Sequence, residues 1–553
     1  METNASSNDR TGDRRTAAAI VAGSALTAGV GYFGGPYLGL DNAIRFLVVE
    51  GAVAVGAALL ALVVLKRASR RVRWSVFGLA ALAAGGLLAC FQFTWRGDMQ
   101  QGLRPRRWVL DSARRAGFDV GDVIHQPQVA AEPLSIVPGA DDSPQFLGGP
   151  ARTGRVTLAP RKLARDWNAR PPQAIWRRPI ADGWSSFAVV GHYGFTQEQT
   201  TDELAETVTS YDLRDGSLRW VHADAGGFDW FLGGKGPRAT PAFHDGKLVT
   251  LGSNGLVNCF DAATGRVVWR HDLAAEMQVD SAQWGKSESP LIVDVPRHGT
   301  IVVVAAGVKA EHLGGHGPGP NPPAALVAYR LSDGGEVWRG GDFSAGYCSP
   351  QLSTLAGVPQ ILVVHWQTLA AHDPDSGRVL WSWDGWDHGQ PKVPQPLVVD
   401  DRRVLASAGY GVGCRMLEVG RDADGAWSVK ELWKSAKLKP KFTNLVMRDG
   451  HAFGLDDGEF LVCLDLADGK LKWRSPRGKD FGHGQVLLVD DLLLVTTENG
   501  DVMLIAADVD EYREFGRFTA LPDGTGWNVP VVWGDKLLVR NDEEAACFQL
   551  PTE

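Results

Sequence analysis

DGKLVTLGSNGLVNCFDAATGRVVW, residues 245–269, decides the fold. Asn254-Gly255 and Thr264-Gly265 cut it into three short runs rich in Val, Leu and aromatic residues. Runs of that length, bounded by Gly and Asn or Asp, predict antiparallel strands joined by tight hairpins. The same design recurs at 449–473, DGHAFGLDDGEFLVCLDLADGKLKW, and the cysteine of the third run returns with it, Cys463 after Cys259. The chain is therefore built from an internal repeat.

Working outward, the end of each copy is its best marker: an Asp, a turn containing Gly, then a short strand closing on Trp. It reads Tyr211-Asp212 to Trp220, Phe260-Asp261 to Trp269, Tyr329 to Trp338 and His372-Asp373 to Trp381. It continues as Asp422 to Trp433, Leu464-Asp465 to Trp473 and a degenerate copy ending at Phe518, while a lone closing strand stands upstream at Ala174-Ile175-Trp176. The ends recur every 40–52 residues, apart from one interval of 69 that contains the loop GGHGPGPNPP, 314–323. Periods near 40–50 with about four strands each describe propeller blades, so the chain is predicted to be all-β, an eight-bladed β-propeller. Residues 524–550 supply three strands and no fourth. The Trp176 strand is the missing one, and pairing it there leaves no exposed sheet edge at the seam. Seven blades result if the weak copy at Trp433 or at Phe518 is not a blade.

Composition agrees with a turn-rich β body: 66 glycines and 20 tryptophans in 553 residues. A net charge of −8 shows no global bias toward nucleic acid. The first hundred residues are of another kind. Segments 17–40, 44–65 and 74–95 are each long enough to cross a hydrocarbon core of about 30 Å. The first is Gly-rich, and a cleaved signal peptide is the competing reading, against which several spans in succession argue. Glu50 reads as an interfacial charge. Arg10, Arg14 and Arg15 precede the first span, and Lys66, Arg67, Arg70, Arg71 and Arg73 lie between the second and third. The positive-inside rule puts these in the cytoplasm and everything after residue 96 outside, although Arg96, Arg104, Arg106 and Arg107 pull the other way.

The expected organisation is thus a membrane anchor over 1–96, a connector over 97–170 and the propeller over 171–550. It would sit in the inner membrane with the propeller on the periplasmic side. Within the connector, 102–120 reads as an amphipathic surface helix, and DDSPQFLGGPARTGRV, 141–156, leads into the first strand. Six cysteines include no C-x-x-C pair and no adjacent pair, so cysteine metal ligation is unsupported. Cys259, Cys463 and Cys547 share one repeat phase and read as buried packing residues.

The repeat D-x-x-x-G-x-x-x-W, clearest in Asp261–Trp269 and Asp465–Trp473, resembles the tryptophan-docking repeat of the pyrroloquinoline-quinone (PQQ)-like β-propellers. That superfamily holds quinoprotein alcohol dehydrogenases and the outer-membrane assembly lipoprotein of the β-barrel machinery. The resemblance covers roughly 143–550 and implies that Trp176, Trp220, Trp269, Trp338, Trp381, Trp433 and Trp473 seal the blades. More narrowly, the chain is similar to membrane-anchored propellers of planctomycete-type bacteria. It shares with them an entry of the form D-x-x-Q-F-x-G-P (Asp142–Pro150, one residue longer here) and the stretches Gly183–Val189, Gln197–Gln199 and Gly236–Pro241.

In a propeller the innermost strands line an axial channel, and the loops at one mouth converge. Small polar residues stand at each blade start: Ser186, Thr240, Ser289, Ser349, Asn444 and Asn528, with Gln395 and Gln485 between them. One reading is a ligand-binding ring; the other is that they satisfy backbone groups where the strands crowd the axis. Arg238, Lys441, His483 and Trp527 are costly there unless they meet water, an anion or a ligand. Arg540–Glu544 reads as a solvated hairpin, and His365, His372 and His388 as structural histidines.

An enzyme of the dehydrogenase branch would, by the resemblance, need PQQ, a catalytic Asp, calcium-binding groups and in many members a vicinal disulfide. This chain lacks the vicinal pair. Glu198, Glu288 and Asp456-Asp457 form no recognisable arrangement, and nothing reads as a calcium cage or other metal site. No phosphate-binding loop or G-x-S-x-G elbow occurs. The expected function is a membrane-tethered binding or scaffold module whose partner is an envelope protein or a small molecule. The alternative is a PQQ-dependent alcohol or polyol dehydrogenase, with PQQ and calcium, passing electrons to the membrane quinone pool.

Overall fold

The computed structural model describes residues 129–553, apart from 131, 201–204, 231–232, 278–283, 308–323, 388–390 and 523. It also gives the backbone of one hairpin, Phe91–Arg96 against Gln100–Pro105, in a separate N-terminal unit. The expected spans 17–40 and 44–65, and 74–90 of the third, lie outside the described residues. Residues 91–95 of that third span are corrected: they form a strand, as suits the aromatic and β-branched run Phe-Gln-Phe-Thr-Trp. The expected surface helix likewise begins in strand over 102–105, and 106–120 lie outside the description. Among the described residues no helix is long and apolar enough to cross a membrane.

The main unit is a propeller of eight antiparallel sheets. Blades 1 to 7 run in chain order over 188–225, 242–272, 291–340, 351–383, 397–435, 446–474 and 485–519. Blade 8 takes Val531–Trp533, Lys536–Arg540 and Glu544–Gln549 from the C-terminus and Gln173–Pro179 as its outermost strand. Trp176 lies opposite Cys547, so the two ends of the propeller meet in one sheet as expected. Blade 7 gains a fifth strand, Arg155–Val156, parallel to its innermost strand Gln485–Val489.

Adjacent blades are joined by a repeated contact. Gly216, Gly265, Gly334, Gly377 and Gly469 sit in the hairpin turns at φ between 69° and 75°, the left-handed region that glycine enters without penalty. Each lies under the indole of the preceding blade: a Cβ on Gly265 would stand 2.7 Å from the Trp220 ring, and one on Gly334 2.8 Å from Trp269. The indole N–H then donates to a carbonyl in or beside that turn. Trp176 reaches Leu213 O at 2.7 Å, Trp220 Ala262 O at 3.0 Å, Trp269 Leu331 O at 2.8 Å and Trp338 Pro374 O at 3.0 Å. Trp473 donates to Asp508 O at 2.9 Å.

Trp381 departs from the pattern and donates to Gln360 Oε1 of its own blade at 2.6 Å. The facing strands of blade 5, Gly413–Arg421 and Trp427–Ser435, are nine residues each and carry their turn past it. Trp433 still covers Gly469, although its indole N–H has no partner.

Blade 7 corrects another expectation. In the regular blades the tryptophan pairs with the residue just before a bulge, as in Cys259 with Trp269 and Cys463 with Trp473. In blade 7 that pair is Leu504 with Gly516, so Gly516 and not Phe518 holds the closing position. Trp167 fills the place instead. A Cβ on Gly516 would stand 2.8 Å from the Trp167 Cβ, and Trp167 is 1% exposed and meets Phe518 edge-on at 5.9 Å. Cys259, Cys463 and Cys547 are buried, their thiols pushed up to about 12 by burial, as packing residues should be.

The expected solvated hairpin at Arg540–Glu544 is also corrected: Arg540, Asn541 and Asp542 are 3%, 1% and 7% exposed. The Arg540 guanidinium crosses from blade 8 into blade 1 and donates to Ala181 O, Gly183 O, Gln197 O and Thr196 Oγ1. Nearby, buried Glu198 accepts from Tyr211 Oη, Thr209 Oγ1 and Ala181 N. The run is charged because it bolts the seam, and the residues that cover it lie more than three hundred positions upstream.

Trp167→Ala is expected to cost about 3–5 kcal/mol in urea unfolding, as for a buried tryptophan, against roughly 1 kcal/mol for Phe518→Leu at the partly exposed neighbour. The reverse order would return the closing role to Phe518.

Candidate functional site

The loops that enter the innermost strands bring the small polar residues of the sequence reading together into one ring. Ser186 N–H donates to Thr240 Oγ1 at 3.2 Å, Thr240 N–H to Ser289 Oγ at 2.9 Å and Ser289 N–H to Ser349 Oγ at 2.9 Å. Ser349 N–H donates to Gln395 Oε1 at 2.9 Å, and Gln395 N–H to Asn444 Oδ1 at 2.8 Å. Gln485 Nε2 bridges Phe442 O and Trp527 O, both at 2.9 Å, and Asn528 Nδ2 reaches Ser185 O at 2.8 Å. Every blade is tied to a neighbour by a side chain that satisfies a backbone group at the crowded axis.

Outside this ring, at the mouth, stand the larger residues. The Trp527 ring packs against Trp184 and Phe442, both with centroids 4.7 Å away, and its N–H donates to Glu498 Oε1 at 2.8 Å. His483 meets Phe442 edge-on at 5.0 Å, and its backbone N–H donates to Glu498 Oε2. Lys441 Nζ lies 4.6 Å over the Tyr410 ring. Arg238 is apart from this group, 4.7 Å over Phe228, with Nη1 donating to Gly236 O. Burial pushes Arg238 down to about 10, opposed by Glu206.

Sequence reasoning missed two cations of the same kind. Lys286, Lys392 and Lys441 each stand three residues before a ring residue, Ser289, Gln395 and Asn444. All three are buried. Lys286 Nζ donates to Ala305 O and Lys392 Nζ to Gln367 Oε1. Burial lowers both, Lys392 to about 8. Aligning the blade starts on the ring residue was the signal that would have found them.

Below the ring the channel is occupied. Residues 143–156, the entry motif, lie along the innermost strands three or so residues past the ring positions. Ser143 bridges Val189 in blade 1, Phe243 N–H donates to Pro144 O in blade 2, and Gln145 exchanges two hydrogen bonds with Ile292 in blade 3. Leu352 N–H donates to Pro150 O in blade 4, and Arg155 pairs with Leu488 in blade 7. The motif that reads as a lead-in is the filling of the channel.

The remaining candidates sit apart. Glu288 is buried beside Lys286, burial raising it and Lys286 opposing. Asp456 binds Lys439 Nζ, and Asp457 accepts from Tyr410 N–H. Among the described residues no group of three or more His, Cys, Asp or Glu is arranged to hold a metal. His388 lies outside the described residues. His365 and His372 are buried with Nε2 atoms 3.1 Å apart, and His372 Nδ1 bonds Gly377 O. That bond makes Nδ1 the donor, so the shared proton belongs to His365 Nε2. Burial pushes His372 down to about 4 and His365 well below the usual range.

A family model described as outer membrane protein assembly factor BamB matches residues 204–428. The outer membrane protein assembly factor BamB of Xanthomonas campestris pv. campestris is 30% identical over 142 residues, 25% of this chain and 30% of that protein. The match thus spans under a third of that relative's length. Among solved structures, a europium-containing methanol dehydrogenase superposes with a TM-score of 0.51 at 12% identity, over 74% of this chain and 98% of its own. The quinohemoprotein alcohol dehydrogenase ADHIIG from Pseudomonas putida HK5 gives 0.51 at 14% identity, over 76% and 83%. These two likenesses speak for the fold. With the repeats and the eight closed sheets, the chain is an eight-bladed β-propeller that over 204–428 is similar to the assembly-factor family.

Two outcomes follow. Ser289→Ala leaves the Thr240 N–H without its acceptor and is expected to cost about 1–3 kcal/mol in urea unfolding. The histidine pair is neutral in the fold, so its contribution is complete above the ordinary histidine pKa of about 6.5 and is lost as pH falls toward 4. Unfolding between pH 8 and 4 should show that acid limb in the native chain and a shallower one in His365→Phe.

Proposed function

We propose that this propeller is a binding or scaffold module of the cell envelope, working outside the cytoplasm, with an envelope protein or a small anionic molecule as its partner. The observation that carries this is how the axis is used. The ring residues are spent in joining blades and the entry segment fills the channel below them, so the mouth loops and the outer rim are what remain to meet a partner. Lys441, Arg238, Tyr410 and Phe228 offer cationic and aromatic chemistry there. The likeness to an assembly factor over 204–428 supports the same role and an extracytoplasmic location. Tethering to the inner membrane rests on the apolar segments before residue 96.

The dehydrogenase reading needs a slot for a planar quinone and a calcium site. The residues present do not fit: Trp527 is committed to Trp184, Phe442 and Glu498, and among the described residues no group of three or more His, Cys, Asp or Glu is arranged to hold a metal. Reconstitution with PQQ and Ca²⁺ is expected to give no dye-linked alcohol oxidation and no shift in melting temperature, since a ligand selective for the native state must stabilise it. In the same preparation, Arg238→Ala with Lys441→Ala should reduce partner capture from detergent-solubilised envelope at least fivefold. PQQ-dependent oxidation, or capture unchanged in that double variant, would overturn the proposal.

A further inference from the structure

The entry segment fills the channel unevenly. Three residues past the ring in blades 1 to 7, the innermost strand turns a main-chain N–H and C=O toward the axis, because alternate pairs of an antiparallel ladder point outward. Val189 shows the geometry: its N–H donates to Ser143 O at 2.8 Å and its C=O accepts from Ser143 N–H at 3.0 Å. Phe243, Ile292 and Leu352 hold the same phase in blades 2 to 4, and Leu488 in blade 7. Pro144, Gln145, Pro150 and Gly154 bond to them in turn.

Between Pro150 at blade 4 and Gly154 at blade 7 the segment crosses the channel and passes blades 5 and 6 by. The equivalent residues there are Val398, opposite Val404, and Met447, opposite Ala452. Each lies one pair in from the pair that closes its hairpin, as Val189 does, so each turns its N–H and C=O to the axis. No described residue bonds to them on that side.

Both line a cavity of about 280 Å³, which Ala151, Thr153 and Arg155 of the entry segment bound on the other side. Leu352, Leu397, Val398 and Met447 are half-buried in its wall. Thr354, also in the wall, is exposed beside the innermost hairpin turn of blade 4, so the cavity meets solvent on the face away from the mouth. A strand edge set among apolar side chains is what an extended peptide binds: the edge supplies main-chain hydrogen bonds, and the wall takes alternate side chains. The volume is close to the lower end for ligand pockets, about 300 Å³, which suits a short length of chain. The entry segment shows the mode on the neighbouring strands.

We propose that this cavity takes an extended, apolar segment of a partner protein. The segment bonds to the main chain of Val398 and Met447, and so continues the interface that the entry segment makes with blades 1 to 4 and 7. The site is separate from the mouth and does not depend on what binds there.

Fluorescence anisotropy of the full chain with fluorescein-labelled Ser-Val-Leu-Val-Ser amide tests it. Saturable binding is expected. The same peptide with both valine amides N-methylated keeps its side chains but loses main-chain donors, and should bind at least tenfold more weakly. Met447→Pro removes an edge N–H that the ladder of blade 6 does not use and should weaken binding at least fivefold. Val532→Pro makes the equivalent change in blade 8, outside this cavity, and should leave binding within a factor of two. If Met447→Pro does not fold, Thr354→Trp, which fills the cavity from an exposed position, carries the comparison with the same expected loss. Absence of saturable binding, the result if another part of the chain or a second copy covers these edges, overturns the proposal. So does equal binding of the methylated peptide, or binding indifferent to whichever of these two variants is tested.

Discussion

The structure depends on an indole lying on the turn glycine of the next blade. A buried tryptophan removes roughly 200 Å² from water, which at about 25 cal/mol per Å² is an upper limit near 5 kcal/mol. The hydrogen bond from the indole N–H adds about 1 kcal/mol. Packing therefore outweighs the bond, which is why Trp433 keeps its place over Gly469 with its N–H unpartnered. It also explains why the glycine is needed: any Cβ in that turn would occupy the space of the ring, and the turn's φ is one that other residues enter with strain.

Because both partners of that contact recur together in the regular copies, most of the fold could be read from the repeat. Each regular copy carries a turn glycine, which receives the indole of the blade before, and a few residues later the tryptophan that covers the blade after, so blade count and closure followed from periodicity. What could not be read were the contacts that replace the repeat where it fails. Trp167 serves Gly516 from far upstream, and nothing near Trp167 resembles a blade. Arg540 is bonded to residues 181–197, so its charged neighbourhood reads as solvent-facing from the local sequence alone. Hydropathy correctly marks the N-terminal segments as apolar, but the aromatic run at 91–95 has strand propensity as well, and there the strand wins.

The candidate site was legible to a similar degree. Repeat phase identified the ring residues Ser186, Thr240, Ser289, Ser349, Asn444 and Asn528, and it is their hydrogen bonding that assigns them to joining blades. Phase alone cannot tell a polar residue that faces a ligand from one that caps a backbone group. The difference lies in whether the acceptor is already used, a property of the neighbouring blade. Arg152 was missed for the opposite reason: it belongs to no repeat, and its bonds to Ser289 O and Pro290 O join residues far apart in the chain.

The stretch from 143 to 179 ties these observations together. It hydrogen-bonds to the innermost strands of blades 1 to 4 and 7, supplies the tryptophan that blade 7 lacks, and then becomes the outermost strand of blade 8. A propeller closed only by one strand would open at that seam when the strand frays, since an edge hairpin is weakly held by itself. Here fraying of Gln173–Pro179 must also pull Trp167 from its pocket and loosen the segment on the axis. Closure at the rim and filling of the channel are thus one cooperative event.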